Sequence, residues 1–222
     1  MRHGPDRWTA SEHAVRARAA ALALLVAYIV VRLVPLVSRI DEGLRGVHDG
    51  NGIAAGWAGA LLGTMTPVSV VVIALLLCGL AWRRYGLRAS VESALTIAVG
   101  PGLAELFKDV LPVVGHHSEA HWVIGSSFPS GHTAIVTVLC LTLLVVAPSR
   151  SSSFLSTTWG RMLRLLAFAL PVAIGVSTVI VGWHQPGDVV GGVLVALAVH
   201  HGVRAVSRRR ATTGTPSLSA TS

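Results

Sequence analysis

Charge is scarce in this 222-residue chain: Asp, Glu, Lys and Arg together make up 13%, against roughly 25% in an ordinary soluble domain. Aromatic residues are few, at 5%, and there are only two cysteines, Cys78 and Cys140, both inside apolar runs. Two cysteines so placed argue against a disulfide framework and against a thiolate metal cluster. Lysine is almost missing, since Arg supplies seventeen of the eighteen basic residues and Lys108 the other. What fills the chain instead is apolar. Hydrophobic residues reach 52% and mean hydropathy is +0.66, which excludes both an intrinsically disordered chain and an ordinary soluble globule.

Six apolar segments stand out, from Ala19 to Val37, Val68 to Trp82, Val91 to Phe107, Thr133 to Ala147, Leu163 to Val181 and Val189 to Val203. A perpendicular membrane span needs about 20 residues, so the shorter segments must extend into their flanks. A seventh stretch, Ile53 to Thr64, is rich in Gly and Ala and only twelve residues long. It suits a short interfacial or re-entrant helix better than a span. The expected fold is therefore all-α, a membrane bundle of six transmembrane helices plus a short interfacial helix around 53–64.

The arginines set the expected topology. Arg2, Arg7, Arg16 and Arg18 precede the first segment, Arg83, Arg84 and Arg88 join the second to the third, Arg150, Arg161 and Arg164 join the fourth to the fifth, and Arg204, Arg208, Arg209 and Arg210 follow the sixth. With six spans, these fourteen share one side of the membrane, while Arg32, Arg39, Arg45 and Lys108 fall on the other beside Asp41, Glu42, Asp49, Asp109, Glu119 and Asp188. The positive-inside rule then places both termini in the cytoplasm. The reading divides the chain into a cytoplasmic arm over 1–18, a membrane domain over 19–203, and a tail over 204–222 that is basic and then disordered. No small-x-small cleavage site follows Arg16 and Arg18, so the first segment reads as an uncleaved span. No nucleic-acid-binding motif accompanies the charge of +8, and its expected partner is the membrane lipid of a plasma membrane rather than nucleic acid.

Polar groups at the mouths of apolar segments are expensive and point to function. Here they gather on the side away from most arginines. Lys108 ends the third segment, Ser130, Gly131 and His132 open the fourth, and His184 and Asp188 open the sixth. Ser130 is a good N-cap, Gly131 lets backbone approach a ligand, and the first N–H groups of the helix that follows form an anion site beside His132. A capped helix with an interfacial histidine would look the same. His184 and Asp188 are four residues apart, so the carboxylate can take one imidazole nitrogen and leave the other free to attack. The lone lysine, in a chain that otherwise uses arginine, suggests a point charge for phosphate.

These residues resemble the type-2 phosphatidic acid phosphatase superfamily of membrane lipid phosphatases. Its signature runs Lys-x6-Arg-Pro, then Pro-Ser-Gly-His, then Ser-Arg-x5-His-x3-Asp. The second part is intact as Pro129-Ser130-Gly131-His132, and the third is present as Ser177-Thr178-x5-His184-x3-Asp188, with Thr178 where the family has Arg. The first keeps Lys108 but has Gly115 and His116 at the Arg-Pro positions. The resemblance covers about Val68 to Val203. It implies that His184 is the nucleophile, oriented by Asp188, that His132 protonates the leaving alcohol, and that Lys108, Ser130 and the Gly131 backbone hold the phosphoryl oxygens. It further implies no cofactor and no metal, and a lipid phosphate or diphosphate as substrate; the arginine distribution makes the expected site face the extracytoplasmic side.

Two missing guanidinium donors leave phosphate binding short of positive charge. His116 and His117, with His121, are the nearest substitutes, as imidazolium groups; in that role they would make activity fall as pH rises through the histidine range. The same loop also reads as a metal set, because His116, His117, Glu119 and His121 offer three imidazoles and a carboxylate. Two further readings keep the site but change its use: phosphoryl transfer to a lipid or sugar acceptor, and lipid binding without catalysis.

Overall fold

The computed structural model describes residues 8–45, 52–111, 128–147 and 158–213. Among them the chain is all-helical. In order, the helices are α1 (Ala10–Leu33), α2 (Pro35–Arg45), α3 (Ile53–Gly63), α4 (Pro67–Tyr85), α5 (Leu87–Val110), α6 (Gly131–Val146), α7 (Thr158–Ile180) and α8 (Pro186–Thr213).

Each expected apolar segment falls on a helix, and the differences have local causes. The first segment was expected to run unbroken from Ala19 to Val37. Instead α1 begins nine residues earlier, where Thr9 and Glu12 form a capping box. It ends at Val34, which takes an extended conformation because the residue before a proline is pushed out of the α region. Pro35 then opens α2, an element the hydropathy pattern did not separate. α8 runs ten residues past Val203 to Thr213, through an Arg- and Ala-rich stretch of good helix formers. The short helix expected around 53–64 is α3.

Among the described residues, four helices are long and apolar enough to cross a membrane: Ala10–Val31 of α1, Pro67–Tyr85 of α4, Gly160–Ile180 of α7 and Pro186–Arg210 of α8. Of the other two expected spans, α6 has only 16 residues. α5 has 24, but Arg88, Glu92, Glu105, Lys108 and Asp109 dilute its apolar character.

α6 is the axis of the bundle. It packs against α4, α5, α7 and α8, while α1 lies along α8 and α3 rests on α7. Its side chains enter two apolar clusters with neighbours on opposite flanks: Val136 and Cys140 with Leu62, Ala167 and Ile174, and Leu139 and Val146 with Leu77, Ala81 and Ile97. Ala134 joins a third cluster with Leu24, Tyr28, Ala104, Phe128, Val195 and Val199. The outer faces are apolar too, with Leu22, Leu25, Leu75, Leu76, Leu165 and Phe168 exposed. An apolar exterior around a core that holds buried Ser93, Thr96, Thr137 and Thr142 is what a lipid solvent selects. Ser93, Thr96 and Thr137 each donate to a carbonyl one turn back, at 2.7–2.9 Å, so no hydroxyl of theirs is left unbonded in an apolar surround.

The two ends of the bundle differ in charge. At one end the Arg88 guanidinium reaches Glu92 and Ser207, and Arg84 donates to the Val146 carbonyl. At the other lie the end of α5 and the starts of α6 and α8. From Arg88 to Lys108 along α5 is ~30 Å at 1.5 Å per residue, the thickness of a bilayer's hydrocarbon core.

Candidate active site

The start of α6 is built as a cradle. Ser130 is its N-cap, and the Ser130 Oγ accepts from the Thr133 N–H at 3.3 Å and from the Thr133 hydroxyl at 3.1 Å. Ser130 is wholly buried, so its hydroxyl shapes the cap from behind. The Ser130 N–H donates to the Asp188 carbonyl at 2.8 Å, which clips the start of α6 onto the start of α8. This contact depends on Gly192. A Cβ there would lie 2.5 Å from the Ser130 carbonyl oxygen and 3.0 Å from Thr133 Cβ, so only glycine lets the two helix starts close up.

The turn into α8 carries the second histidine. The Thr178 carbonyl accepts the N–H groups of Trp183 (2.9 Å) and His184 (3.2 Å), and Gly182 takes a positive φ of 74° to fold the turn over. Asp188 then reaches back one turn: its Oδ2 accepts the Gln185 N–H at 2.9 Å, while its own N–H donates to the Gln185 carbonyl at 3.0 Å. This is a reciprocal cap. It holds a fully buried carboxylate at the positive end of the α8 dipole.

The same Oδ2 faces His184. Nδ1 of His184 lies 3.6 Å from it, an ion-pair distance slightly long for a hydrogen bond, and this buried nitrogen makes no hydrogen bond among the described residues. Such bonds are often long in a free active site and tighten with substrate. With Nδ1 turned to the carboxylate, Nε2 is the nitrogen left for chemistry. The ring of His132 stands edge-on to that of His184, with centroids 6.2 Å apart, and Trp183 flanks it at 5.5 Å.

Lys108 completes the group. From the last turn of α5 its Nζ lies 3.6 Å from where a Gly131 Cβ would be. The structure therefore brings Lys108, Ser130, Gly131, His132, His184 and Asp188 to one end of the bundle. His116 and His117, with Glu119 and His121, lie outside the described residues. Among those described, no three His, Cys, Asp or Glu side chains are arranged to hold a metal ion.

Two acidic residues were not legible in the sequence. Glu105 pairs with Lys108 at 2.7 Å, and its Oε1 lies 2.5 Å from the same Gly131 Cβ position. A Glu three residues before a Lys on a helix is the one signal that could have found it. Asp41 of α2 is buried, and its Oδ1 accepts the Gly187 N–H at 2.9 Å; nothing in the local sequence announces that contact. Thr178, at a motif-arginine position, turns inward: its hydroxyl donates to the Gly175 carbonyl at 2.7 Å and the side chain is wholly buried.

Chemically, the arrangement offers an oriented imidazole nucleophile, a second imidazole within proton-transfer range of a shared reacting group, and an anion site made of one ammonium and a helix N-terminus. The family model of the PAP2 superfamily matches residues 94–211, just over half of the chain. Among solved structures, the chain is similar to the first transmembrane PAP2 type phosphatidylglycerolphosphate phosphatase from Bacillus subtilis, with a TM-score of 0.62 at 18% identity, covering 91% of this chain and 98% of that one. No curated protein matches it.

Proposed function

This chain belongs to the PAP2 superfamily, and from that premise we propose that it is an integral membrane lipid phosphatase working through a phosphohistidine. The observation that carries the reading is the meeting of His132 and His184, 6.2 Å apart between ring centroids, with Asp188 behind one and Lys108 beside the other. His184 Nε2 attacks the terminal phosphorus as its P–O bond to the leaving group breaks, the lipid alcohol of a monoester or the lipid phosphate of a diphosphate, and His132 gives its proton to the departing oxygen. Water, deprotonated by His132, then breaks the P–N bond and releases inorganic phosphate. Lys108 and the first N–H groups of α6 take up charge on the phosphoryl oxygens. This mechanism has no step that needs a metal ion.

The substrates that fit are phosphatidic acid, phosphatidylglycerophosphate and polyprenyl diphosphates. The similar solved structure is a phosphatidylglycerolphosphate phosphatase, which puts that lipid first on the panel. The arginine-rich end of the bundle supports a site on the extracytoplasmic face of the plasma membrane.

The test is phosphate release by purified protein in detergent, with excess chelator, across that panel. We expect turnover that vanadate inhibits and that His184→Ala and His132→Ala each abolish. Release that survives His184→Ala, or that requires added divalent metal, would overturn the reading. One observation favours a rival. With Thr178 turned into its own helix and Glu105 sitting on Lys108, the anion site is, among the described residues, poor in free positive charge, as a lipid-binding member without catalysis would allow. That rival predicts no turnover on any lipid phosphate. Transfer to an alcohol acceptor would instead appear as a phosphorylated product formed only when acceptor is supplied.

A further inference from the structure

The first turn of α8 has few ways to satisfy its N–H groups. Pro186 has none, Asp188 and Val189 use the Gln185 carbonyl, and Gly187 is left to a residue 146 positions away in the chain, Asp41. The fit there is close. A Cβ on Gly187 would meet Val31 Cγ1 at 2.7 Å and Asp41 Oδ2 at 2.9 Å. Gly187 sits between His184 and Asp188, so whatever holds its N–H holds the turn that aims the nucleophile. Asp41 is only 6% exposed, and it lies outside residues 94–211, the stretch that matches the family model.

We propose that Asp41 is a positioning residue for phosphoryl transfer: from α2 it fixes the turn that presents His184 and Asp188. The inference rests on the phosphatase reading of the site and extends the functional unit to the N-terminal helices. α2 is then not an accessory on the membrane surface. It carries the acceptor that keeps the His184–Asp188 pair in register with the cradle at the start of α6.

The experiment uses the full chain in detergent micelles with phosphatidylglycerophosphate or phosphatidic acid, whichever the parent hydrolyses faster. The readout is the single-turnover rate constant at saturating enzyme, which does not depend on the fraction of folded protein. Asp41→Ala removes the acceptor, and Asp41→Ser leaves only a hydroxyl one bond nearer the backbone, short of the Gly187 N–H; both should slow this constant by about 10²-fold, the scale of a misaimed reacting group. KM should stay within a few-fold, because Lys108 and the start of α6 are untouched. Asp41→Asn keeps an acceptor oxygen and should run clearly faster than both. Asp41→Ala and Asp41→Ser at the parent rate, or Asp41→Asn as slow as Asp41→Ala, would overturn the inference. His184→Ala run in parallel separates the two levels: hydrolysis that survives it sinks the phosphohistidine reading of the site, and this inference with it.

Discussion

Glu105 and Lys108 stand three residues apart on the last turns of α5, and their contact at 2.7 Å puts a carboxylate where a phosphoryl oxygen would go. The two proposed positive partners of a bound phosphate, the Lys108 ammonium and the start of α6, are both within reach of Glu105 Oε1. Substrate must therefore displace Glu105 or bind against its charge. Like charges a few ångströms apart at a partly exposed site cost on the order of 1 kcal/mol. Glu105→Gln should accordingly lower KM by roughly three- to tenfold, as that energy implies, with kcat little changed. Lys108→Ala should act in the opposite direction, because a charge-assisted hydrogen bond contributes about 1.5–3 kcal/mol. Steady-state kinetics on the two variants decides the matter: a raised KM in Glu105→Gln would mean that the carboxylate serves by orienting Lys108 rather than by competing for it.

At the scale of the helix, activity depends on how closely two starts approach. Gly192 lets the Ser130 carbonyl lie against α8, and a methyl group there would lie 2.5 Å from that oxygen and 3.2 Å from the Ala134 nitrogen. Both obstacles are backbone, so the helices must part. Overpacking of this kind costs about 1–3 kcal/mol. Gly192→Ala should lower the thermal midpoint modestly but cut turnover sharply, since the separation of His132 and His184 is set by that same joint. A variant that loses stability and activity in step would count against the idea. The same joint explains what was legible beforehand. Lys108, the Ser130-Gly131-His132 run and the His184–Asp188 pair sit at the mouths of apolar runs, where hydropathy alone marks helix ends, and four-residue spacing sets two side chains on one face. Asp41 was not legible, because its contact joins residues far apart in the chain and its helix is too short and too polar to stand out. Nor did spacing foretell that Thr178 spends its hydroxyl on its own helix.

Among the described residues, Arg84 and Arg88 lie at the end of the bundle opposite the candidate site. Arg84 and Arg88 bond to the ends of α6 and α8, and His13 of α1 meets His201 of α8 at 3.0 Å between their Nδ1 atoms. Trp8, carrying the Arg16 guanidinium over its ring, packs against both imidazoles. Basic groups crowded at one end of an otherwise apolar bundle fix orientation through insertion and through anionic headgroups. If that end faces the cytoplasm, Lys108 and the two site histidines face outward, and a lipid must present its phosphate in the outer leaflet to be cleaved. Single cysteines test this in sealed right-side-out vesicles, once Cys78 and Cys140 are replaced by alanine. Asp109→Cys, exposed at the site end of α5, should react with a membrane-impermeant maleimide, whereas Arg209→Cys, exposed near the end of α8, should react only after the vesicles are opened. The reverse pattern would turn the enzyme over and make its substrate an inner-leaflet lipid. Labelling of both sites in sealed vesicles would put Asp109 and Arg209 on the same side, and the ~30 Å of α5 between Arg88 and Lys108 would then have to lie along the bilayer rather than across it.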